Sequence, residues 1–215
     1  MYQVNHLGHF LLSHLLLPQL LKSNDGRLVV VGSQQYSKVP LELADPHFFH
    51  KLAAPKQQQG AAAAAAGADA LLKATAMQRY SLTKLYNLWF SRHMAAAVLP
   101  QLQQGSDSSS KRLVVNAVTP GFVPTTELSR YAGPLGRFAM KHVISWAPFA
   151  VTVKEAASRV AALCDGEAEG SMCGAFYSRR AAVDTPGPAG DAAAAAALWQ
   201  QSCKDAGIQH YLPQQ

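Results

Sequence analysis

Arg27-Leu28-Val29-Val30-Val31-Gly32-Ser33 is a short β-branched run closed by a glycine and a hydroxyl. Its apolarity is continuous rather than alternating, which suits a parallel strand covered on both faces. A second run of this kind, Leu113-Val114-Val115-Asn116-Ala117-Val118, stops abruptly at Thr119-Pro120-Gly121. Gly174-Ala175-Phe176-Tyr177 reads as a shorter last strand. Helical patterns separate these runs. Val4, Leu7, Leu11, Leu12, Leu15 and Leu16 recur at helical spacing over about residues 3–22, where Pro18 should kink or end the helix. The turn-forming Ser23-Asn24-Asp25-Gly26 follows. A second helix, from Arg79 to about Leu99, carries Leu82, Leu85, Leu88, Trp89 and Val98, and Pro100 should close it. A third runs from Lys154 to Cys164 and stops at Asp165-Gly166. Helix alternating with strand implies an α/β chain with a doubly wound parallel sheet. Such sheets bind ligands beyond the carboxyl ends of their strands, so Ser33 and the Thr119–Gly121 turn draw attention first.

The chain has 215 residues, 49% hydrophobic and 15% charged, enough for one sizeable core without disulfides or metal. The composition excludes a disordered tail, a collagen and a disulfide scaffold. Net charge is +6, but the basic residues are spread along the chain and leave no nucleic-acid footprint. Mild attraction to a phosphorylated cofactor or an acidic surface suits that charge as well. Cys164, Cys173 and Cys203 form neither a CxxC pair nor a zinc spacing, which points to buried thiols in a reducing compartment. The apolar run Phe10–Leu21 is too short to span a membrane and contains Ser13, His14, Pro18 and Gln19.

Residues about 34–78 form a loop-rich excursion, and its middle, about 55–78, is a low-complexity insertion around Ala61–Ala66. The polar stretch Gln103–Ser110 reads as a lengthened loop. Residues 1–178 form the expected domain, and 179–215, rich in Ala, Gly and Pro, a peripheral tail.

Tyr80 and Lys84 stand four apart, so one helical face presents both. A neighbouring ammonium favours the phenolate over the phenol, whose free pKa is about 10. That makes a workable acid/base near neutral pH. Ser33, at a strand end, could hydrogen-bond a substrate oxygen and stabilise developing charge. Taken alone the pair is ordinary: seven tyrosines and ten lysines yield roughly 0.3 chance Tyr-x-x-x-Lys pairs in this length. Order and context raise its meaning.

The ordered motifs Val4-Asn5-His6-Leu7-Gly8-His9-Phe10-Leu11-Leu12, Arg27–Ser33, Tyr80–Lys84 and Asn116–Thr125 resemble the short-chain dehydrogenase/reductase family. The first is similar to the retinol-dehydrogenase-like branch and the second also to protochlorophyllide reductases. The likeness covers about residues 1–178 outside the insertions. It implies a Rossmann-like fold and hydride transfer between NAD(P)(H) and an alcohol or carbonyl. It also implies a catalytic Tyr80, a Lys84 that lowers the tyrosine pKa and holds the nicotinamide ribose, and a substrate-polarising Ser33. Asn5 would hold a water in the proton relay. Pro120, Gly121, Val123 and Thr125 would receive the nicotinamide carboxamide. Each also has a plain structural reading: Asn5 as a helix-face residue, Ser33 as a capping hydroxyl, Pro120-Gly121 as an ordinary turn.

The family's opening strand and glycine-rich turn have no counterpart here; Gly60 and Gly67 are too far apart. The resemblance therefore implies the C-terminal half of the fold, with about the first 100 residues absent. The strand at Val29–Val31 would then be an exposed apolar edge, open to pairing and to oligomers. The branch favours NADP over NAD. Phe122, Leu128, Phe138, Met140, Trp146 and Phe149 suit a lid over a lipophilic alcohol, aldehyde or ketone. The segment Leu128–Phe149 also suits contact with a membrane surface. A cytoplasmic location is the expectation, with any targeting segment unread. The alternative function is a catalytically inactive remnant that binds a partner through the open edge. His6-x-x-His9 and His47-x-x-His50 lack the carboxylate of a zinc set, so no metal site is assigned.

Overall fold

The computed structural model describes residues 1–54, 73–103, 112–124, 138, 147, 149–165, 172–209 and 211. Most of the insertion, the polar loop after Gln103 and most of the lid segment lie outside the described residues, as does Thr125.

A π-helical turn, Gln3–Leu7, leads into α1 (Gly8–Leu20). Pro18 sits in its last turn, where the helix ends two residues later. Strand β1 (Asp25–Val31) follows, then 3-10 turns at Gln34–Lys38 and Leu41–Leu43 and the short α2 (Phe48–Ala53). Helix α3 (Ala76–His93) starts three residues before the expected Arg79. A capping box explains this: Thr75 Oγ1 accepts from Gln78 N at 3.2 Å, and Gln78 Oε1 accepts from Thr75 N at 2.8 Å. Pro100 does not end the helical run. A π-helical turn, Met94–Val98, intervenes, and Pro100 falls in the first turn of α4 (Leu99–Gln103), where its missing N–H costs little. Strand β2 (Arg112–Thr119), α5 (Val153–Cys164), β3 (Phe176–Ser178), β4 (Ala181–Val183) and α6 (Ala192–Asp205) complete the order. Among the described residues no helix is long and apolar enough to cross a membrane.

The sheet runs β1-β2-β3-β4. The first three strands are parallel, with Val31 opposite Val118 and Val118 opposite Tyr177. This is a mixed α/β, partial Rossmann-like arrangement. Strand β4, which the sequence reading missed, returns antiparallel through a two-residue turn at Arg179 and Arg180. Both arginines have positive φ, 49° and 69°. That is the type I′ hairpin geometry, in which Asn-Gly is the comfortable pair. Left-handed backbone in non-glycine residues costs on the order of 1–3 kcal/mol each.

Two cores flank the sheet. Leu113, Val115, Ala117 and Phe176 join Phe10, Leu85 and Trp89 on the α1/α3 side. Val118 and Tyr177 meet Leu163 of α5 on the other. Alternation along β2 thus supplies both faces, which is why the strand reads as continuously apolar. Gly26 permits the close crossing of α1 over β1: a Cβ there would lie 2.5 Å from the Leu20 carbonyl oxygen.

The tail reads as peripheral from its composition, but it does not behave so. Leu198 and Trp199 of α6 are buried in the main core. The Trp199 ring stacks on Phe90 with centroids 5.8 Å apart and meets Phe10 at 5.0 Å. Small Ala194 and Ala195 let α6 come close, and the larger rings fill what remains. Asp191 caps this helix, accepting from Ala194 N at 2.9 Å.

The outer edge of β1 pairs with no strand among the described residues. Helix α1 beside it carries leucines on its exposed side as well as on its buried one. Phe10 and Leu17 point into the core, while Leu12, Leu15 and Leu16 are exposed. A helix of that kind ordinarily packs on both sides.

Candidate active site

The carboxyl ends of β1 and β2, the start of α3 and the π-helical turn before α1 come together. Helix α3 packs against both the Gln3–Leu7 turn and the Gln34–Lys38 turn. Lys84 Nζ donates to the Val31 carbonyl at 3.2 Å and lies 5.7 Å from the Tyr80 ring centroid. Burial lowers the Lys84 pKa, since its ammonium has lost much of its water. Tyr80 and Lys84 are half-buried, so both retain access to solvent.

Asn5 enters from the π-helical turn. Its Nδ2 donates to Thr83 Oγ1 at 3.2 Å, and that hydroxyl donates to the Tyr80 carbonyl at 2.7 Å. Asn5 is therefore joined to the backbone that carries Tyr80. The π-helical turn rotates this residue relative to a regular helix, a frequent device where a side chain must be re-aimed. His9, one turn further on, has its pKa lowered, first by burial and then by the Lys84 charge. It belongs to this neighbourhood, although the sequence offered it only as half of a His-x-x-His pair. His6 points elsewhere: it is buried, and its Nε2 shares a hydrogen bond of 2.8 Å with Ser202 Oγ.

Ser33 immediately follows Gly32 at the end of β1, in extended backbone (φ −162°, ψ 149°). Its Oγ accepts from Gln35 N at 3.3 Å, the capping role of the plain reading, and it stays partly exposed. Pro120 and Gly121 follow β2 directly. Gly121 has φ +97°, and a Cβ there would lie 2.7 Å from Arg159 Nη1 and 2.9 Å from Val151 Cγ2. Only glycine fits that turn without rearrangement. Arg159, which the sequence reading did not single out, holds it shut. Its guanidinium donates to the Pro120 carbonyl at 3.0 Å and pairs with Glu155 at 2.5 Å. The only signal for this was the Glu-x-x-x-Arg spacing on α5. Val123 lies just beyond the turn.

A cavity of about 780 Å³ lies at the carboxyl ends of the strands; Gly121 lines it, whereas Asn5, Ser33, Tyr80 and Lys84 do not. Gln34, Thr119, Gly121, Phe122 and Phe149 line it, together with Arg159, Arg179 and Arg180. Of the expected lid, Phe122, Phe138 and Phe149 are described; Leu128, Met140 and Trp146 lie outside. For a nicotinamide, the residues present offer a Cβ-free turn at Gly121, on the cavity wall, and an ammonium at Lys84, tied to the end of β1.

No family model matches the chain. It is 28% identical over 202 residues to retinol dehydrogenase 14 of Mus musculus, and equally to that of Homo sapiens. It is 29% identical over 205 residues to polyprenol dehydrogenase of Mus musculus. Each match covers 94% of this chain. The chain spans about half the length of the curated relatives it matches, 50% of the first and 51% of the last.

Proposed function

We propose that the chain is a short-chain dehydrogenase/reductase, an oxidoreductase acting with NADP or NAD on a lipophilic alcohol or its carbonyl partner; the ordered motifs and the likeness to the two dehydrogenases above support this. NADP is the favoured form, on the branch resemblance. When bound, the nicotinamide supplies or accepts the hydride. The protein's part is to orient and to move a proton. In the reductive direction Tyr80 Oη gives its proton to the carbonyl oxygen; in the oxidative direction it takes one from the alcohol. Lys84, with its ammonium 5.7 Å from the Tyr80 ring centroid, holds the ribose hydroxyls. Ser33 Oγ donates to the same substrate oxygen and steadies the charge that develops there. Asn5 holds a water behind Tyr80. Pro120, Gly121 and Val123 receive the carboxamide, and the resemblance adds Thr125 to that role.

The observation that carries this reading is the tether of the Tyr80/Lys84 face to the end of β1, through the bond from Lys84 to Val31 two residues before Ser33. The relatives support the substrate class: retinol and polyprenol, for which they are named, are lipophilic alcohols. The test is thermal unfolding with and without NADPH and NADH, followed by turnover of a long-chain aldehyde. Protection by a dinucleotide and turnover that Tyr80→Phe removes are expected. No protection and no turnover would overturn the reading and favour an interaction protein using the open β1 edge.

A further inference from the structure

Asn5 donates to Thr83 across 3.2 Å, and its aim is set by the Gln3–Leu7 turn that carries it. A π-helical turn is a rare backbone form, so whatever holds it decides where Asn5 points. Here the hold comes from α6. Tyr2 Oη, just before the turn, donates to Asp205 Oδ2 at 2.7 Å, and His6 Nε2, inside it, shares its 2.8 Å bond with Ser202 Oγ. Tyr2 and His6 stand four apart and take one face, with ring centroids 5.5 Å apart. Ser202 and Asp205 stand three apart on α6 and present the matching face. Asn5 lies between the two ties in the chain. Both ties are firm. Asp205 takes His50 Nε2 on the same oxygen at 2.8 Å and Gln201 Nε2 on the other, which fixes its carboxylate between the turn, α2 and α6. Burial, and then that carboxylate, raise the Tyr2 pKa, so the phenol stays a donor. His6 and Ser202 are 1% and 0% exposed, and a hydrogen bond so far from water is stronger than one at the surface.

We propose that Ser202 and Asp205 are positioning residues of the candidate active site. Acting through His6 and Tyr2, they fix the turn that aims Asn5 at Thr83, whose hydroxyl bonds the Tyr80 carbonyl. What Asn5 then does in catalysis rests on the proposed oxidoreductase function; its placement by α6 does not.

The side-chain amide of Asn5, observed by NMR in the isotope-labelled full chain and assigned by its loss in Asn5→Ala, reads the placement without turnover. Tyr2→Phe keeps the ring and its stacking on Phe49 and loses only the hydroxyl. Ser202→Ala removes the other tie. Each should shift the Asn5 amide resonances and speed their exchange with solvent. Val160→Ala, which trims the core on the other face of the sheet, should do neither. With a long-chain aldehyde, Tyr2→Phe should lower kcat at least about tenfold at unchanged KM for the dinucleotide, since a misplacement of about 1 Å is enough for that. In an Asn5→Ala background the same change should cost nothing further, because the two losses share one cause. An Asn5 amide unmoved by Tyr2→Phe or by Ser202→Ala, or moved as much by Val160→Ala, would overturn the proposal. So would, in an active chain, an unchanged kcat or a full further loss in the Asn5→Ala background. An amide that responds to both variants in a chain without turnover would sink the reaction and leave the placement standing.

Discussion

Lys84 Nζ and the Val31 carbonyl oxygen are 3.2 Å apart, so the helix that carries Tyr80 is tied to the last residue of β1. The bond uses one of three ammonium donors and leaves two. It also fixes the height of Tyr80 above the strand end from which Ser33 emerges.

Replacing Tyr80 by Phe should lower turnover by about 10²–10⁴-fold, the usual worth of a positioned acid/base, with no change in the far-UV circular dichroism spectrum. Lys84→Met should lower it too and raise the KM for the dinucleotide, because the ammonium that would hold the ribose is gone. An unchanged KM would remove Lys84 from cofactor binding.

Stability should fall in acid because of His6. Burial depresses its pKa to about 3, whereas the imidazole of the unfolded chain titrates near 6.5. Between those values the unfolded chain takes up a proton that the folded chain refuses. The fold therefore loses stability as pH drops through this window, with a slope approaching about 1.4 kcal/mol per pH unit. Urea unfolding of the parent and of His6→Gln across the window is the check; equal slopes would point to other groups.

Gly121→Ala should cost on the order of 1–3 kcal/mol, from positive φ in a residue that now has a Cβ. The methyl also displaces the Arg159 guanidinium, 2.7 Å from where it would sit. Denaturant midpoints measure the loss. A midpoint equal to the parent's would mean that the turn relaxes freely.

The exposed leucines of α1 should drive self-association. Leu12→Glu with Leu16→Glu removes apolar surface that touches no core, so stability should stay within about 0.5 kcal/mol while light scattering at high concentration falls. Leu17→Ala, fully buried, should instead cost about 2–5 kcal/mol. If the glutamates leave scattering unchanged, the association surface lies elsewhere.

Sequence alone determined the local and repetitive features. Runs such as Leu28–Val31 and Leu113–Val118 are apolar at every position because each strand is covered on both faces, so their place in a parallel sheet could be read directly. The capping box of α3 was also written there, in Thr75 and Gln78. The four-residue spacing of Tyr80 and Lys84 fixed their common face. Tertiary structure decided whatever depends on partners distant in the chain. Ala192–Asp205 looked dispensable by composition, yet Trp199 completes an aromatic cluster with Phe10 and Phe90, a contact between residues about 100–190 positions apart that no periodicity encodes. The left-handed Arg179–Arg180 turn and the guanidinium of Arg159 beneath Gly121 were equally hidden. Periodicity reports which face a residue takes; only the packed chain reports what it meets there.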